Sequence, residues 1–382
     1  MTKILYFIIV VTFMDTFVQL PIISPFAVEL GASELMAGLI VGIYSFSNMF
    51  GNILGGYGVD RIGRKKVLLS AMAFVFLLLL CYPLVNTDEQ LLLLRFVHGI
   101  FGGVLIPASF AIVGDLSRRN HGEASMAYTG AAIGIAAIAG PAIGGIMATR
   151  SDISYVFLFV AGLFLIAFIL GWKFVPVTLP EEKKREAVGN GFVSLLKNKV
   201  LWQASIAAFA LMVSNGTLAF ALPFQVEGFG LPASLAGAFL SVFGITALIV
   251  FITPLNKVYR LYSPLLLVIG GLVLIGLSLM ALNIVAGVAW TVVLMVTYGL
   301  GFALLFPSMN EMIARTSKEK ERGKAYGIFY AFFSLGVVTG SSGAGAVEQW
   351  FGSPFLISGG FILLVSALLL GSGKVPRKSF AK

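Results

Sequence analysis

Charge is scarce in this chain. Asp, Glu, Lys and Arg make up 11% of its 382 residues and 58% are apolar, whereas an ordinary soluble domain carries about 25% charged residues. Such a chain cannot cover a water-facing surface. Cysteine is scarcer still: Cys81 stands alone, which excludes a disulfide and a cysteine metal cluster. Lying within an apolar stretch, it reads as a small buried apolar residue. With only two histidines, no zinc-type or nucleophile-triad constellation points to an enzyme. The phosphate loop Gly-x-x-x-x-Gly-Lys-Ser/Thr is missing, because Gly323-Lys324 and Gly373-Lys374 lack the residues around them. Neither a bound nucleotide nor any other cofactor is expected.

What fills the chain is apolar sequence. Twelve long stretches fall at about 4–26, 35–57, 67–86, 91–114, 124–148, 155–175, 201–224, 233–255, 263–282, 288–312, 324–347 and 355–373. Each is near the ~20 residues a helix needs to cross a bilayer core, and about twice the length of a membrane strand. The first begins just after Lys3 and is too long for a signal-peptide core, so it reads as a retained helix. Of the 26 Lys and Arg, all but Arg95 and Arg150 lie in alternate gaps that must face one side of a membrane. Basic residues accumulate on the cytoplasmic side, so both termini are expected inside a cytoplasmic (inner) membrane. The cations sit in short loops beside spans rather than on one face, so orientation explains them and nucleic acid is not expected as a partner.

One long polar segment, 176–200, separates an N-terminal six-helix bundle (1–175) from a C-terminal one (201–382). The halves look related. His98-Gly99 and Pro107 recur as Tyr298-Gly299 and Pro307, and Gly140 and Gly145 as Gly340 and Gly345, all at an offset of 200. The expected fold is therefore an all-α membrane protein of two pseudo-symmetric bundles, a plan known among secondary transporters.

Several polar residues stand out against this apolar background. The second gap reads Gly56-Tyr57-Gly58-Val59-Asp60-Arg61-Ile62-Gly63-Arg64-Lys65. Gly56 would let a neighbouring helix approach closely, Gly63 would allow a tight turn, and Asp60 is an anion at a helix end. Helix 4 carries Arg95 with His98 three residues on, on the same face. A cation at that depth is costly unless paired, and an imidazole ordinarily titrates close to neutral pH. The alternative for His98 is a hydrogen-bonded packing role. Helix 1 carries Asp15 at its midpoint, with Thr12 and Gln19 on the same stripe. A carboxyl group in apolar surroundings favours its neutral form, which suits taking up and releasing a proton. The alternative is a structural acid hydrogen-bonded to Gln19. Asp115, at the end of helix 4, and Glu311 read as interfacial charges. Helix 5 carries Gly140-Pro141-Ala142-Ile143-Gly144-Gly145, small residues for close helix contact and a proline for a bend.

These segments resemble, in order, three signatures of the major facilitator superfamily. They are the loop between helices 2 and 3, the intramembrane Arg with Gly four residues later, and the Gly-Pro segment associated with exporters that exchange substrate for protons. Departures are His98, where the family often has Gln, and Ala127 and Ala136, where it favours glycine. Pro21 and Pro25 resemble the Pro-x-x-Pro pair of its drug exporters, one residue longer. Over its whole length the chain is most similar to the bacterial twelve-helix drug/proton antiporters. The resemblance implies alternating access powered by a proton gradient, with the second-gap loop (Gly56, Asp60, Arg61, Gly63, Arg64, Lys65), Asp115 and Gly140, Pro141, Gly144 and Gly145 controlling the conformational change. It implies a cavity lined by helices 1, 4, 7 and 10. Asp15, Arg95 and His98 would then couple to protons, and Gln19, Asn215, Thr217, Tyr298 and Phe302 would meet substrate. The expected partners are protons, membrane lipid and a hydrophobic or amphipathic small molecule, neutral or cationic. The alternatives are a carrier or flippase for a lysolipid or glycolipid, a sugar exporter, or a membrane sensor that transports nothing.

Overall fold

The first apolar stretch is not one helix. In the computed structural model, which describes residues 2–119, 124–175, 198–284, 287–316 and 322–372, α1 (Thr2–Gln19) stops and α2 (Ile23–Glu29) resumes after a 48° bend. The expected continuous helix over 4–26 is corrected accordingly. Pro21 and Pro25 supply no backbone N–H, and each ring crowds the carbonyl four residues earlier. On either side of Pro21 the chain instead makes tighter bonds, Leu20 N–H to the Phe17 carbonyl and Ile22 N–H to the Gln19 carbonyl. Gln19 is thus the last helical residue before the break.

The remaining helices are α3 (Glu34–Arg61), α4 (Arg64–Cys81), α5 (Asp88–Arg119), α6 (Ala124–Arg150), α7 (Ser154–Phe174), α8 (Lys199–Gly228), α9 (Ala236–Ile252), α10 (Val258–Leu261), α11 (Pro264–Leu282), α12 (Val288–Thr316), α13 (Arg322–Phe351) and α14 (Pro354–Ser372). Among the described residues eleven helices are long and apolar enough to cross a membrane, or twelve if the bent α1–α2 pair is counted as one span. Short 3₁₀ turns occupy Tyr82–Leu84, Ala233–Leu235 and Pro254–Lys257. Large apolar side chains such as Ile53, Leu93, Leu364 and Leu368 lie exposed along the helices, and Trp172, Trp290 and Trp350 lie exposed near helix ends. That is the surface of a protein solvated by acyl chains with aromatic residues at the interfaces. Cys81 ends α4 and is exposed, its thiol donating to the Leu77 carbonyl, so the expected buried position is corrected.

Two units emerge: Met1–Arg185 together with Leu222–Ser241, and Glu186–Ala221 together with Val242–Lys382. The segment Leu222–Ser241 follows the linker in sequence yet packs within the first unit. The small residues of helix 5 explain this. A Cβ added to Gly145 would fall on the Ser234 carbonyl, and one added to Gly237 would fall on the Pro141 carbonyl. The Ser241 hydroxyl lies 2.7 Å from the Ile138 carbonyl. Gly140 and Gly144 are pressed in the same way against Phe17 and Val18 of α1. The Gly-Pro segment therefore braces the stretch of α1 that carries Asp15 and Gln19.

A second small-residue seam joins α3 to α5. Added Cβ atoms on Gly51 and Gly55 would strike Ile100 and Val104, and on Gly99 and Gly103 would strike Tyr44 and Asn48. Two Gly-x-x-x-Gly pairs interleave, so the backbones meet directly. The expectation that Gly56 supplies this close approach is overturned, since nothing lies within 4 Å of a Cβ built there. Gly56 is turned off the seam, because successive residues are about 100° apart. Gly63, at φ +102°, makes the turn between α3 and α4.

Candidate functional site

In the first unit the seam brings six polar side chains into one buried cluster. Asp15, Gln19, Tyr44, Tyr82, Arg95 and His98 are each no more than 6% exposed. Gln19 Nε2 donates to Asp15 Oδ1 at 2.7 Å, and Arg95 Nη1 donates to Gln19 Oε1 at 2.7 Å. Arginine has only donors, so the Gln19 oxygen must face Arg95 and its nitrogen must face Asp15. Oδ1 is therefore an acceptor. Oδ2 receives the Tyr44 hydroxyl at 3.2 Å. The Asp15 carboxyl group thus accepts at both oxygens, with the fixed charge of Arg95 one amide away. The guanidinium also donates to the carbonyls of Ile40 and Val41 and lies 4.5 Å above the Tyr44 ring. The buried cation thus has the partners its depth demands.

His98 closes the cluster from the other side. Its Nε2 is 3.1 Å from Asp15 Oδ2, but the atom has no aligned hydrogen bond. The contact is electrostatic and off the N–H axis. Its Nδ1 is 2.9 Å from the Tyr82 hydroxyl. The sequence reading found Asp15, Gln19, Arg95 and His98 and missed Tyr44 and Tyr82. A lone tyrosine in an apolar helix looks like packing, and only the Gly-x-x-x-Gly spacing of α3 marked the face on which Tyr44 lies.

The second unit holds a neutral counterpart. Asn215 lies 200 residues after Asp15, and Tyr298 lies 200 after His98. Asn215 Nδ2 donates to the Tyr298 hydroxyl at 3.1 Å, and that hydroxyl is 2.7 Å from Ser214 Oγ. At the same offset Arg95 becomes Met295 and Gln19 becomes Ala219. Gly299 packs on the Phe243 carbonyl as Gly99 packs on that of Tyr44, so Phe243 stands in the place of Tyr44. Phe243 and Tyr298 meet edge to face at 5.3 Å, as Tyr44 and His98 do. Asp15, Arg95 and His98 are thus replaced by Asn215, Met295 and Tyr298, side chains that carry no charge at neutral pH. Of the other expected substrate contacts, Phe302 stacks on Phe306 and packs against Phe243. Thr217 turns away to Ser358 at 3.0 Å.

Around the second gap, Lys65 Nζ donates to the Trp172 carbonyl at 2.7 Å and Arg64 Nη1 to the Ala111 carbonyl at 3.3 Å, while Arg61 lies 4.3 Å above the Tyr57 ring. The side chains of Asp60 and Asp115 and the linker 176–197 lie outside the described residues. Glu311 pairs with Arg315 one turn on.

Known proteins agree with this architecture. The family model described as Major Facilitator Superfamily matches residues 5–316 and 298–382. The chain is 25% identical over 356 residues to the quinolone resistance protein NorA of Staphylococcus aureus, covering 90% of this chain and 89% of the relative. It is 26% identical over 342 residues to the multidrug resistance protein MdtG of Salmonella choleraesuis, covering 87% and 84%. Its fold matches a POT family transporter solved with 5-aminolevulinic acid, with a TM-score of 0.82 at 14% identity over 97% of this chain and 95% of that one. The human organic anion transporter MFSD10 (TETRAN) matches with a TM-score of 0.70 at 18% identity over 96% and 98%. A multi-pass membrane transporter rather than an enzyme, the chain belongs to the Major Facilitator Superfamily.

Proposed function

We propose that this protein is a proton-coupled exporter of hydrophobic or amphipathic small molecules, neutral or cationic, working by alternating access in the cytoplasmic membrane with both termini inside. The observation that carries the reading is the buried Asp15 cluster. Oδ1 is committed to Gln19, so Oδ2, between Tyr44 and His98, is the oxygen left to be protonated. Protonation removes the negative charge beside a guanidinium that cannot lose its own. Loading and unloading Asp15 thereby changes the net charge of a closed, low-dielectric cluster, where such a change is felt strongly. The Tyr44 hydroxyl has a second partner in Thr16 Oγ1 at 3.5 Å, to which it turns when Oδ2 takes the proton.

The neutral cluster of the second unit suits substrate rather than protons. Asn215, Tyr298, Phe302 and Phe306 offer hydrogen bonding and aromatic faces without a charge, which fits an apolar body with a neutral or cationic head. The named relatives, a quinolone resistance protein and a multidrug resistance protein, support the drug-like substrate class. Gly56, Asp60, Arg61, Gly63, Arg64 and Lys65, with Asp115 and the Gly-Pro segment of α6, are assigned to the conformational change.

The experiment is transport by purified protein in proteoliposomes under an imposed pH gradient, screened with hydrophobic cations, neutral amphiphiles, lysolipids and sugars. Hydrophobic cations or neutral amphiphiles are expected to move against the gradient of protons, and Asp15→Asn is expected to abolish that movement while the protein stays folded. Undiminished proton-driven transport by Asp15→Asn would remove the acid from the mechanism.

A further inference from the structure

Tyr82 opens the 3₁₀ turn that follows α4 and is completely buried. Its ring stacks on Phe157 at 4.0 Å and 11°, which sets where its hydroxyl sits. That hydroxyl is 2.9 Å from Nδ1 of His98, and Nε2 of the same ring is 3.1 Å from Oδ2 of Asp15. The imidazole is therefore sandwiched between a group that both donates and accepts and a group whose character depends on its protonation.

A neutral imidazole carries one proton, on one nitrogen. When Asp15 is ionised, the proton belongs on Nε2, facing the carboxylate, and Nδ1 accepts from Tyr82. The opposite tautomer would set the Nε2 lone pair against a carboxylate oxygen. When Asp15 is protonated, its O–H donates to Nε2, the imidazole proton sits on Nδ1, and the Tyr82 oxygen accepts from it. Nε2, fully buried and without an aligned partner, and Nδ1, beside the Tyr82 hydroxyl, exchange roles between the two states.

We propose that Tyr82 is a positioning residue that ties the tautomer of His98 to the protonation of Asp15. The exchange balances in one step: an added proton forms the Nδ1–H bond, the Nε2–H bond breaks, and an O–H bond forms on Oδ2. Tyr82 reverses its hydroxyl and neither gains nor loses a proton. The titratable or charged groups facing His98 are Asp15 from α1, Tyr44 from α3, Tyr82 from the turn after α4, and Arg95 one turn earlier on its own helix. Arg95 stays charged and Tyr44 bonds Oδ2 directly, so Tyr82 is the member that faces Nδ1. This inference rests on Asp15 as the proton carrier and adds to it the group that reads its state.

The chain has two histidines, His98 and His121, so His121→Gln leaves a single imidazole for ¹⁵N spectroscopy in lipid nanodiscs. At high pH the Nε2–H tautomer is expected, and on acidification the signal moves to Nδ1–H. Tyr82→Phe keeps the stack on Phe157 and removes the hydroxyl. It is expected to mix the tautomers and to displace the pH profile of transport by about half a pH unit or more. Wild-type nitrogen shifts and a wild-type pH profile in Tyr82→Phe overturn the inference. Asp15→Asn leaves Tyr82 in place and gives a second arm: its amide donates to Nε2, so the Nδ1–H form is expected at every pH, and a persistent Nε2–H form overturns the inference. If Asp15→Asn still couples to protons while Tyr82→Phe mixes the tautomers, the assignment of Asp15 as carrier fails and the bond between Tyr82 and His98 stands.

Discussion

Arg95 and Asp15, the cation and the anion of the buried cluster, are joined through one amide rather than in direct contact: Arg95 reaches Gln19 Oε1 at 2.7 Å, and Gln19 Nε2 reaches Asp15 at 2.7 Å. The intervening glutamine transmits a constraint as well as a bond. Because Arg95 can only donate, the amide has one orientation, and one oxygen of Asp15 is held as an acceptor. The other oxygen, Oδ2, is the one our proposal assigns to the proton.

Breaking that bridge strands two buried polar atoms. Gln19→Leu is expected to destabilise the protein by about 2–4 kcal/mol, the range for unsatisfied buried groups of which one or both are charged. Thermal unfolding in detergent reads the loss. A melting temperature equal to wild type would show that water or another side chain replaces the amide.

Arg95→Lys keeps the charge but loses the planar fork that serves Gln19, Ile40 and Val41 together and the stack on Tyr44. Proton-driven transport is expected to fall at least about tenfold, since an ammonium is a poor substitute at such a site. Transport rates in proteoliposomes, beside expression and melting, decide it. Full activity with lysine would mean that charge alone is needed.

The glycines of α3 separate a packing role from a family resemblance. Gly51→Ala places a methyl group on the Ile100 carbonyl and is expected to cost about 1–3 kcal/mol, as overpacking does. Gly56→Ala meets nothing within 4 Å and is expected to leave melting within about 0.5 kcal/mol of wild type. The ranking of the two melting temperatures is the test, and a reversed order contradicts the seam.

The second unit's neutral counterpart predicts a gain of function. Asn215→Asp with Tyr298→His recreates, 200 residues on, an acid and an imidazole where Asn215 and Tyr298 now meet. The double variant is expected to bind an additional proton, read as added proton uptake by the purified protein on acidification. Asn215→Asp alone, lacking the imidazole and any counterpart of Arg95, is expected to be the less stable of the two, because an unpaired, partly buried carboxyl is costly. Equal proton uptake by wild type and double variant removes the second unit as a latent proton site.

Sequence by itself determined the membrane class, the twelve apolar stretches, the doubling at an offset of 200 and the rare charges within them. Each of these depends on composition or on local periodicity, and a bilayer penalises any other reading of a twenty-residue apolar run. It also singled out Asp15, Gln19, Arg95 and His98, because intramembrane polar residues are few enough to notice. Only tertiary structure decided how they connect. Arg95 lies 76 residues from Gln19 and Asp15 lies 29 from Tyr44, and nothing in a linear pattern says which faces of two helices will meet. Tyr44 and Tyr82 were invisible for the same reason, since a buried hydroxyl differs from a packing aromatic only in what stands opposite it. The break after Gln19 was written in Pro21 and Pro25, but whether two prolines bend a helix or end it depends on what packs against them. Gly56 and Gly51 are five residues apart and chemically identical, and only the neighbouring backbone of α5 shows which of them has to be glycine.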